Sequence, residues 1–329
     1  MRAQITLLVS LAALVACKGK RDDAQESAPE PAAVRPAQVA GLTAIPSDAA
    51  VVVGFNVHKL RDAALVQRGL RAVFDNDPGL GRRVTALLSD CGIDPRTDLA
   101  TLLIATGATP DQALLVATGA MDEARLPACV ETATAAAGGA VSRVTWDDGR
   151  VVWASEPRAG QTVWFAFGAP RTVVASTSEA WLRQALARGA KGIRSNADMQ
   201  AILNRVDRQA GMWAAGRVDP QLGGGLARVT GGEVKSPPLF MFAHLYVDKG
   251  LRAELAAVMA SEDDAATLVR FARAQLQTYE IIAQGAGLGR LVASLRVDAR
   301  DDTVFLKLEL SEGELDDAVS RIDKALSAE

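Results

Sequence analysis

Four short turn segments, each set between two runs rich in apolar and β-branched residues, constrain this chain more than any other feature. Asp147-Asp148-Gly149 separates Val141–Trp146 from Arg150–Ser155, and Gly168-Ala169-Pro170 separates Thr162–Phe167 from Arg171–Ser176. Asp248-Lys249-Gly250 joins Leu239–Val247 to Leu251–Ala260, and Asp298 to Asp302 joins Leu291–Val297 to Thr303–Leu310. Such turn residues reverse the chain within a few positions and read as hairpins. Two further strands, Leu99–Thr106 and Gln112–Thr118, flank Thr109-Pro110-Asp111, and Ala49–Val57 reads as a buried strand.

Helical periodicity fills the intervals. It spans Lys59–Phe74, Leu80–Ser89, Asp122–Ala137, Ser178–Ala187, Ala197–Val206, Ser261–Gln284 and Ser311–Leu326. The long helix carries one apolar stripe of Ala265, Leu268, Val269, Ala272, Leu276, Tyr279 and Ile282, read as the face that covers a sheet. A dimer or lipid contact through the stripe is the lesser reading. The expected fold is α+β: antiparallel β-meanders with packed helices.

The second half repeats the grammar of the first. Ser178-Glu179-x-x-Leu182-x-x-Ala185-Leu186 parallels Ser311-Glu312-x-x-Leu315-x-x-Ala318-Val319. Each has a hydroxyl able to cap a helix, and Ser311 with Glu314 forms a capping box. Leu115-Val116-Ala117 runs into the acidic helix start Asp122-Glu123, as Ala257-Val258-Met259 runs into Glu262-Asp263-Asp264. A tandem duplication of one α+β unit accounts for this, with halves at 41–190 and 191–329. Coincidence of generic α+β patterning is the alternative.

The N-terminus carries an address. Arg2 is a positive n-region and Ile5–Val15 an apolar run of eleven residues. A bilayer span needs about 20 helical residues, so the run reads as a secretory signal, residues 1–16. Leu14-Val15-Ala16-Cys17 resembles the lipobox of bacterial lipoproteins. The resemblance implies cleavage between Ala16 and Cys17 and fatty acylation of Cys17, palmitate being the type of chain. An ordinary signal peptide that happens to hold a cysteine is the alternative, and the polar Lys18-Gly19-Lys20-Arg21 weighs against it. Residues 17–40 are rich in Pro, Ala and charge and read as a disordered tether with a reach of roughly 25 Å. Lys18 after the cysteine resembles the outer-membrane pattern of enterobacterial lipoproteins.

The folded part resembles a family of uncharacterised exported bacterial lipoproteins. The opening Pro46-Ser47-Asp48-Ala49-Ala50 and the later Val173-Val174-Ala175-Ser176 into Ser178-Glu179 carry that resemblance. The family has no assigned activity, so it implies an address and an architecture and transfers no catalytic residue.

Charge and cysteines narrow the function further. Lys and Arg number 36 against 39 Asp and Glu, a net charge of −3, with no basic stripe for nucleic acid. Cys91 and Cys129 are the cysteines left after Cys17. In an oxidising compartment they read as a disulfide closing a loop of about 38 residues, worth about 3–4 kcal/mol; two independent buried thiols are the other reading.

Chemistry-bearing motifs are sparse. His58 and His244 are the two histidines, no Gly-x-Ser-x-Gly elbow is present, and neither a metal nor a cofactor is expected. Gly285-Ala286-Gly287-Leu288-Gly289 follows a helix and reads as a helix stop instead of a nucleotide loop. Gly223–Gly232 reads as a surface loop. Trp146, Trp153 and Trp164 form an aromatic platform if they share a face, with core packing the default. The expectation is a non-catalytic envelope lipoprotein, on the outer membrane facing the periplasm, held to the lipid membrane by acylated Cys17. It acts by binding or scaffolding, with an envelope protein as partner. A carrier or sensor of a hydrophobic ligand is the alternative, and an exported hydrolase using His58 or His244 the weaker one.

Overall fold

The computed structural model describes residues 37–77, 79, 93–109, 111–158, 161–187, 191–285 and 288–326. The expected signal, Ala16, Cys17, most of the expected tether, the expected helix at Leu80–Ser89 and Cys91 lie outside the described residues. Helices and antiparallel strands alternate, so the chain is α+β. Two compact units divide it, one of Met1–Val52 with Ala64–Ala197 and one of Val53–Ala63 with Asp198–Glu329. They depart from the expected halves chiefly at Val53–Ala63, which joins the second unit. The cause is local. Asn56 N–H donates to Gly211 O at 2.8 Å, the Lys59 ammonium donates to Gln209 O, and Gly54 lies against Trp213. Strand β1 (Val51–Asn56) is thus where the chain crosses from one unit to the other.

The first unit's sheet runs β2 (Leu99–Thr106), β3 (Ala113–Gly119), β7 (Thr172–Ser176), β6 (Gln161–Phe167), β5 (Val151–Arg158), β4 (Ala140–Thr145), all neighbours antiparallel. Helix α1 (Ala64–Asn76) precedes it after a break at residues 61–63, where one continuous helix was expected. Helix α2 (Arg125–Ala136) lies on one face. Its Leu126, Cys129 and Val130 meet Leu115, Ala117, Phe165, Val173 and Ala175. Asp122 starts α2 by accepting the Ala124 and Arg125 N–H groups, and Pro127 sits in the first turn, where its missing N–H costs nothing. Helix α3 (Glu179–Leu186) contributes the fully buried Leu182 and Leu186, capped by Ser178 Oγ accepting Trp181 N–H at 3.4 Å. β3 is buried over most of its length because Leu114 and Val116 face away from Leu115 and Ala117, and both sets are covered. A buried Leu or Ile of this kind contributes about 1.5–3 kcal/mol.

The second unit's sheet runs β8 (Met212–Arg217), β9 (Phe240–Tyr246), β10 (Leu251–Val258), β12 (Thr303–Leu310), β11 (Leu295–Arg300). Tight turns close its hairpins, with Gly250 at φ 103° and Asp301 at φ 52°. α4 (Ala197–Leu203) opens the unit, and α5 (Pro220–Val229) follows β8. The glycine-rich 223–232 segment is therefore largely helical and not the surface loop expected. Proline at the helix start, Leu226 against the core, and Gly231 and Gly232 at φ 64° and 84° past the last turn explain the difference. α6 (Glu262–Gly285) covers one sheet face with Ala265, Leu268, Val269, Ala272 and Leu276, against Val297, Val304 and Leu306. The stripe leaves the sheet beyond Leu276: Tyr279 and Ile282 are 56% and 65% exposed. α7 (Gly289–Ala293) precedes β11, and α8 (Glu312–Leu326) follows β12 with the expected capping box, Ser311 N–H to Glu314 Oε2 at 2.9 Å and Glu314 N–H to Ser311 Oγ at 3.4 Å.

The two units share one topology. In each, a hairpin (β2–β3, β9–β10) hands over to a helix (α2, α6). The chain then returns antiparallel beside the hairpin's second strand (β3–β7, β10–β12) and ends in a Ser-capped helix (α3, α8). The first unit adds the strands β4 and β5 at its sheet's end. The order of elements thus recurs in the two units.

Candidate functional site

Charged residues in the interior of strands give the second unit its most unusual surface. On the sheet face away from α6, the register places Trp213, His244, Glu254, Lys307 and Arg296 in one row across five strands. Opposite side chains on adjacent strands stand close enough to interact. His244 Nε2 lies 3.7 Å from Glu254 Oε1, Glu254 Oε2 lies 3.6 Å from Lys307 Nζ, and Lys307 Nζ lies 3.3 Å from Asp298 Oδ2. The Lys307 ammonium also sits 5.1 Å from the Phe305 ring centre. His244 Nδ1 and Asp298 Oδ1 are buried atoms without a partner among the described residues.

Tyr246, two residues on from His244, stands beside this row. Its hydroxyl donates to Asp207, and the Arg252 guanidinium covers its ring at 4.6 Å. That hydrogen bond, helped by Gln209 N–H, holds the Asp207 carboxyl below its ordinary range. Burial first, and then the bond to Asp207, pushes the Tyr246 phenol up to about 12. A phenol held protonated beside an ionised carboxylate is a hydrogen-bonded fixture and a poor nucleophile near neutral pH.

The first unit offers a cleft of about 380 Å³ between the start of α2 and strand β4, lined by Glu123, Pro127, Glu131, Val141, Arg143 and Trp153. Trp153 stacks on Phe165 at 5.3 Å and meets the edge of Phe167 at 6.0 Å. The three tryptophans do not make a platform. Trp153 pairs across strands with Phe165, whereas Trp164 pairs with Ala154 and so faces the other side of the sheet. Trp146 is buried at the β4–β5 turn, beneath the Arg183 guanidinium at 4.1 Å. Nearby Arg150, 3% exposed, donates to Phe167 O and Ala37 O, both at 2.6 Å, and to Leu186 O at 3.4 Å. Burial lowers its pKa, opposed by Asp148. Three carbonyls spoken for make it a strut and not a ligand site.

A groove of about 450 Å³ lies among α6, α7 and α8. Leu288, Leu291, Leu310 and Ala318 supply apolar walls, and Arg290, Arg321, Glu280, Glu314 and Asp317 rim it.

The residues singled out in the sequence are scattered. His58, in the single helical turn Val57–Leu60, contacts Arg61 at 3.4 Å, and His244 lies beside Glu254; among the described residues neither has a serine as hydrogen-bond partner. Cys129 is buried in the first unit's core, and its proposed partner Cys91 is outside the described residues. Gly285 ends α6, as a helix stop would. Among the described residues no three His, Cys, Asp or Glu side chains gather as an ion site, and no helix is long and apolar enough to cross a membrane. Glu254, Lys307, Asp298, Tyr246 and Asp207 were missed. The available signal was a charge inside each apolar strand, at Glu254 and Lys307; that the two meet depends on register.

No family model matches the chain and no curated protein matches it. Among solved structures, crystal form I of TP0453 aligns with 86% of this chain and 98% of its own, at 13% identity and a TM-score of 0.46. Crystal form III aligns with 88% and 99%, at 11% identity and a TM-score of 0.44. Similarity of this size assigns the chain neither a family nor a function.

Proposed function

We propose that this chain is a lipid-anchored protein of the bacterial cell envelope, on the outer membrane facing the periplasm, that works by binding or scaffolding and not by catalysis. The observation that carries the reading is Leu14-Val15-Ala16-Cys17 at the end of a short apolar run, followed at once by Lys18-Gly19-Lys20-Arg21. Two or three acyl chains hold a protein stably at a bilayer, where one chain is marginal. Among the described residues neither histidine is paired with a serine, and the Tyr246 phenol is held protonated, which supports binding over hydrolysis. A disulfide between Cys91 and Cys129 belongs to the same proposal. Fatty-acid labelling of the expressed full chain tests the anchor: Cys17→Ala abolishes the label, and persistence of label in that variant removes the reading.

The groove among α6, α7 and α8 supports a second reading, a carrier of a hydrophobic ligand whose charged head meets Arg290 or Arg321. Native mass spectrometry of the mature chain separates the two. A reproducible added mass of lipid size favours the carrier, and a bare mass favours the scaffold.

A further inference from the structure

We propose that the outer edge of β4 is a docking site for an extended, basic peptide segment of an envelope partner, which adds a strand to the first unit's sheet. The inference deepens the binding reading above and names the surface it uses.

The geometry begins at the β4–β5 turn. Trp146 N–H donates to Arg150 O at 2.9 Å, which marks that pair as hydrogen-bonded. Antiparallel pairs alternate, so Ser142 and Val144 turn their N–H and C=O groups toward β5 while Val141, Arg143 and Thr145 turn theirs away. β4 ends the sheet, and among the described residues nothing meets those outward groups. Five of its six residues are exposed, Val144 among them.

The second unit shows what a guarded edge looks like. There β11 is the terminal strand, and α6 sends Arg273 Nε to its Val297 carbonyl at 3.0 Å. Arg296, Asp298 and Arg300 add charge along the same strand. Exposed edges invite pairing with other chains, and natural sheets blunt them by such means. β4 has one charged residue, Arg143, and an unpaired rim at Val141, Arg143 and Thr145.

The adjoining cleft states the chemistry of the occupant. A strand laid on β4 places every second side chain on the α2 face, over Glu123, Glu131, Pro127 and Trp153. Two exposed carboxylates stand there against the single guanidinium of Arg143. A lysine or arginine at the cleft-facing position meets the carboxylates, and its methylene stem lies along Trp153. Backbone bonds supply affinity in strand addition, and alternate side-chain pockets supply selection.

Amide exchange on the full mature chain in detergent micelles is the test. The probe is a blocked seven-residue peptide alternating threonine with valine and carrying a central lysine; a control has glutamate in its place. In free protein Val141, Arg143 and Thr145 amides exchange fast while Ser142 and Val144 are protected. Saturating lysine peptide slows the first three by about tenfold or more, and the glutamate peptide does so at least about tenfold more weakly. Arg143→Pro removes an outward N–H that the β5 ladder does not use, so it abolishes the effect with circular dichroism unchanged. A Glu123→Lys, Glu131→Lys double variant reverses the peptide preference. Absence of slowing at millimolar peptide overturns the proposal. Concentration-dependent slowing without peptide also overturns it, since a second copy then holds the edge. Equal binding of the two peptides overturns the basic character of the occupant. The readout does not involve acylation, so failure here leaves the Cys17 anchor standing and failure of labelling leaves this test valid.

Discussion

The Trp181 indole N–H donates to Asp48 Oδ1 at 3.0 Å across 133 positions of chain. It ties the Pro46-Ser47-Asp48 opening to the Ser178-Glu179 helix, the two segments singled out in the sequence. Asn196 reinforces the opening by donating to Ser47 O at 2.9 Å. Trp181 is 2% exposed, so Asp48→Ala leaves a buried N–H without an acceptor. The expected loss is about 1–3 kcal/mol in urea unfolding. Asp48→Asn keeps an acceptor and is expected to lose less than about 1 kcal/mol. Equal midpoints for Asp48→Ala and wild type show that the bond contributes nothing.

Gly54 approaches Trp213 so closely that a Cβ there stands 2.2 Å from Trp213 Cε2. Gly54→Ala therefore forces the indole or β1 to move, at about 1–3 kcal/mol. If the indole is the obstacle, Trp213→Leu relieves part of the cost, and the double variant is more stable than the sum of the single losses predicts. Strict additivity places the strain elsewhere.

Arg150 joins three carbonyls of separate segments, one of them Ala37 near the start of the described chain. Arg150→Met keeps the volume and leaves those oxygens without their donor, for a loss on the order of 3 kcal/mol. The Ala169 N–H, which donates to Val39 O at 2.7 Å, is a local reporter. Its exchange is expected to accelerate by about tenfold beyond the global change.

The Asp207–Tyr246 pair makes stability depend on pH at both ends. The folded Asp207 pKa is depressed, so its contribution is present above the unfolded value and fades as pH falls through the folded one. Tyr246 is raised to about 12, so its contribution is complete below the unfolded value near 10 and is lost as pH rises toward about 12. Tyr246→Phe removes the alkaline limb and the part of the acid limb that the Tyr246 hydroxyl supplies, while the Gln209 N–H part remains. The difference in urea midpoint between wild type and variant should be level from about pH 5 to 9 and shrink on either side. A difference independent of pH means that the two groups are not coupled.

The hairpins were legible because their turns carry local chemistry: Asp147-Asp148-Gly149 and Asp248-Lys249-Gly250 specify a reversal whatever surrounds them. The helix caps at Ser178 and Ser311 were legible for the same reason, each side chain accepting the backbone N–H three residues on. The α5 helix was misread because glycine disfavours a helix by propensity, and burial of Leu226 outweighs that preference. The α6 stripe was read too far, since periodicity reports an apolar face but not where the sheet beneath it ends.

The sequence by itself determined the antiparallel hairpins and the capped helices, which rest on interactions between residues a few positions apart. Tertiary structure alone decided the rest. Pairing register brought His244, Glu254 and Lys307 into one row, left Trp153 and Trp164 on opposite faces, and put β4 at the rim. A shift of one residue in any pairing turns every side chain of a strand to the other face, and that choice is made by the burial of the whole sheet rather than by any local segment.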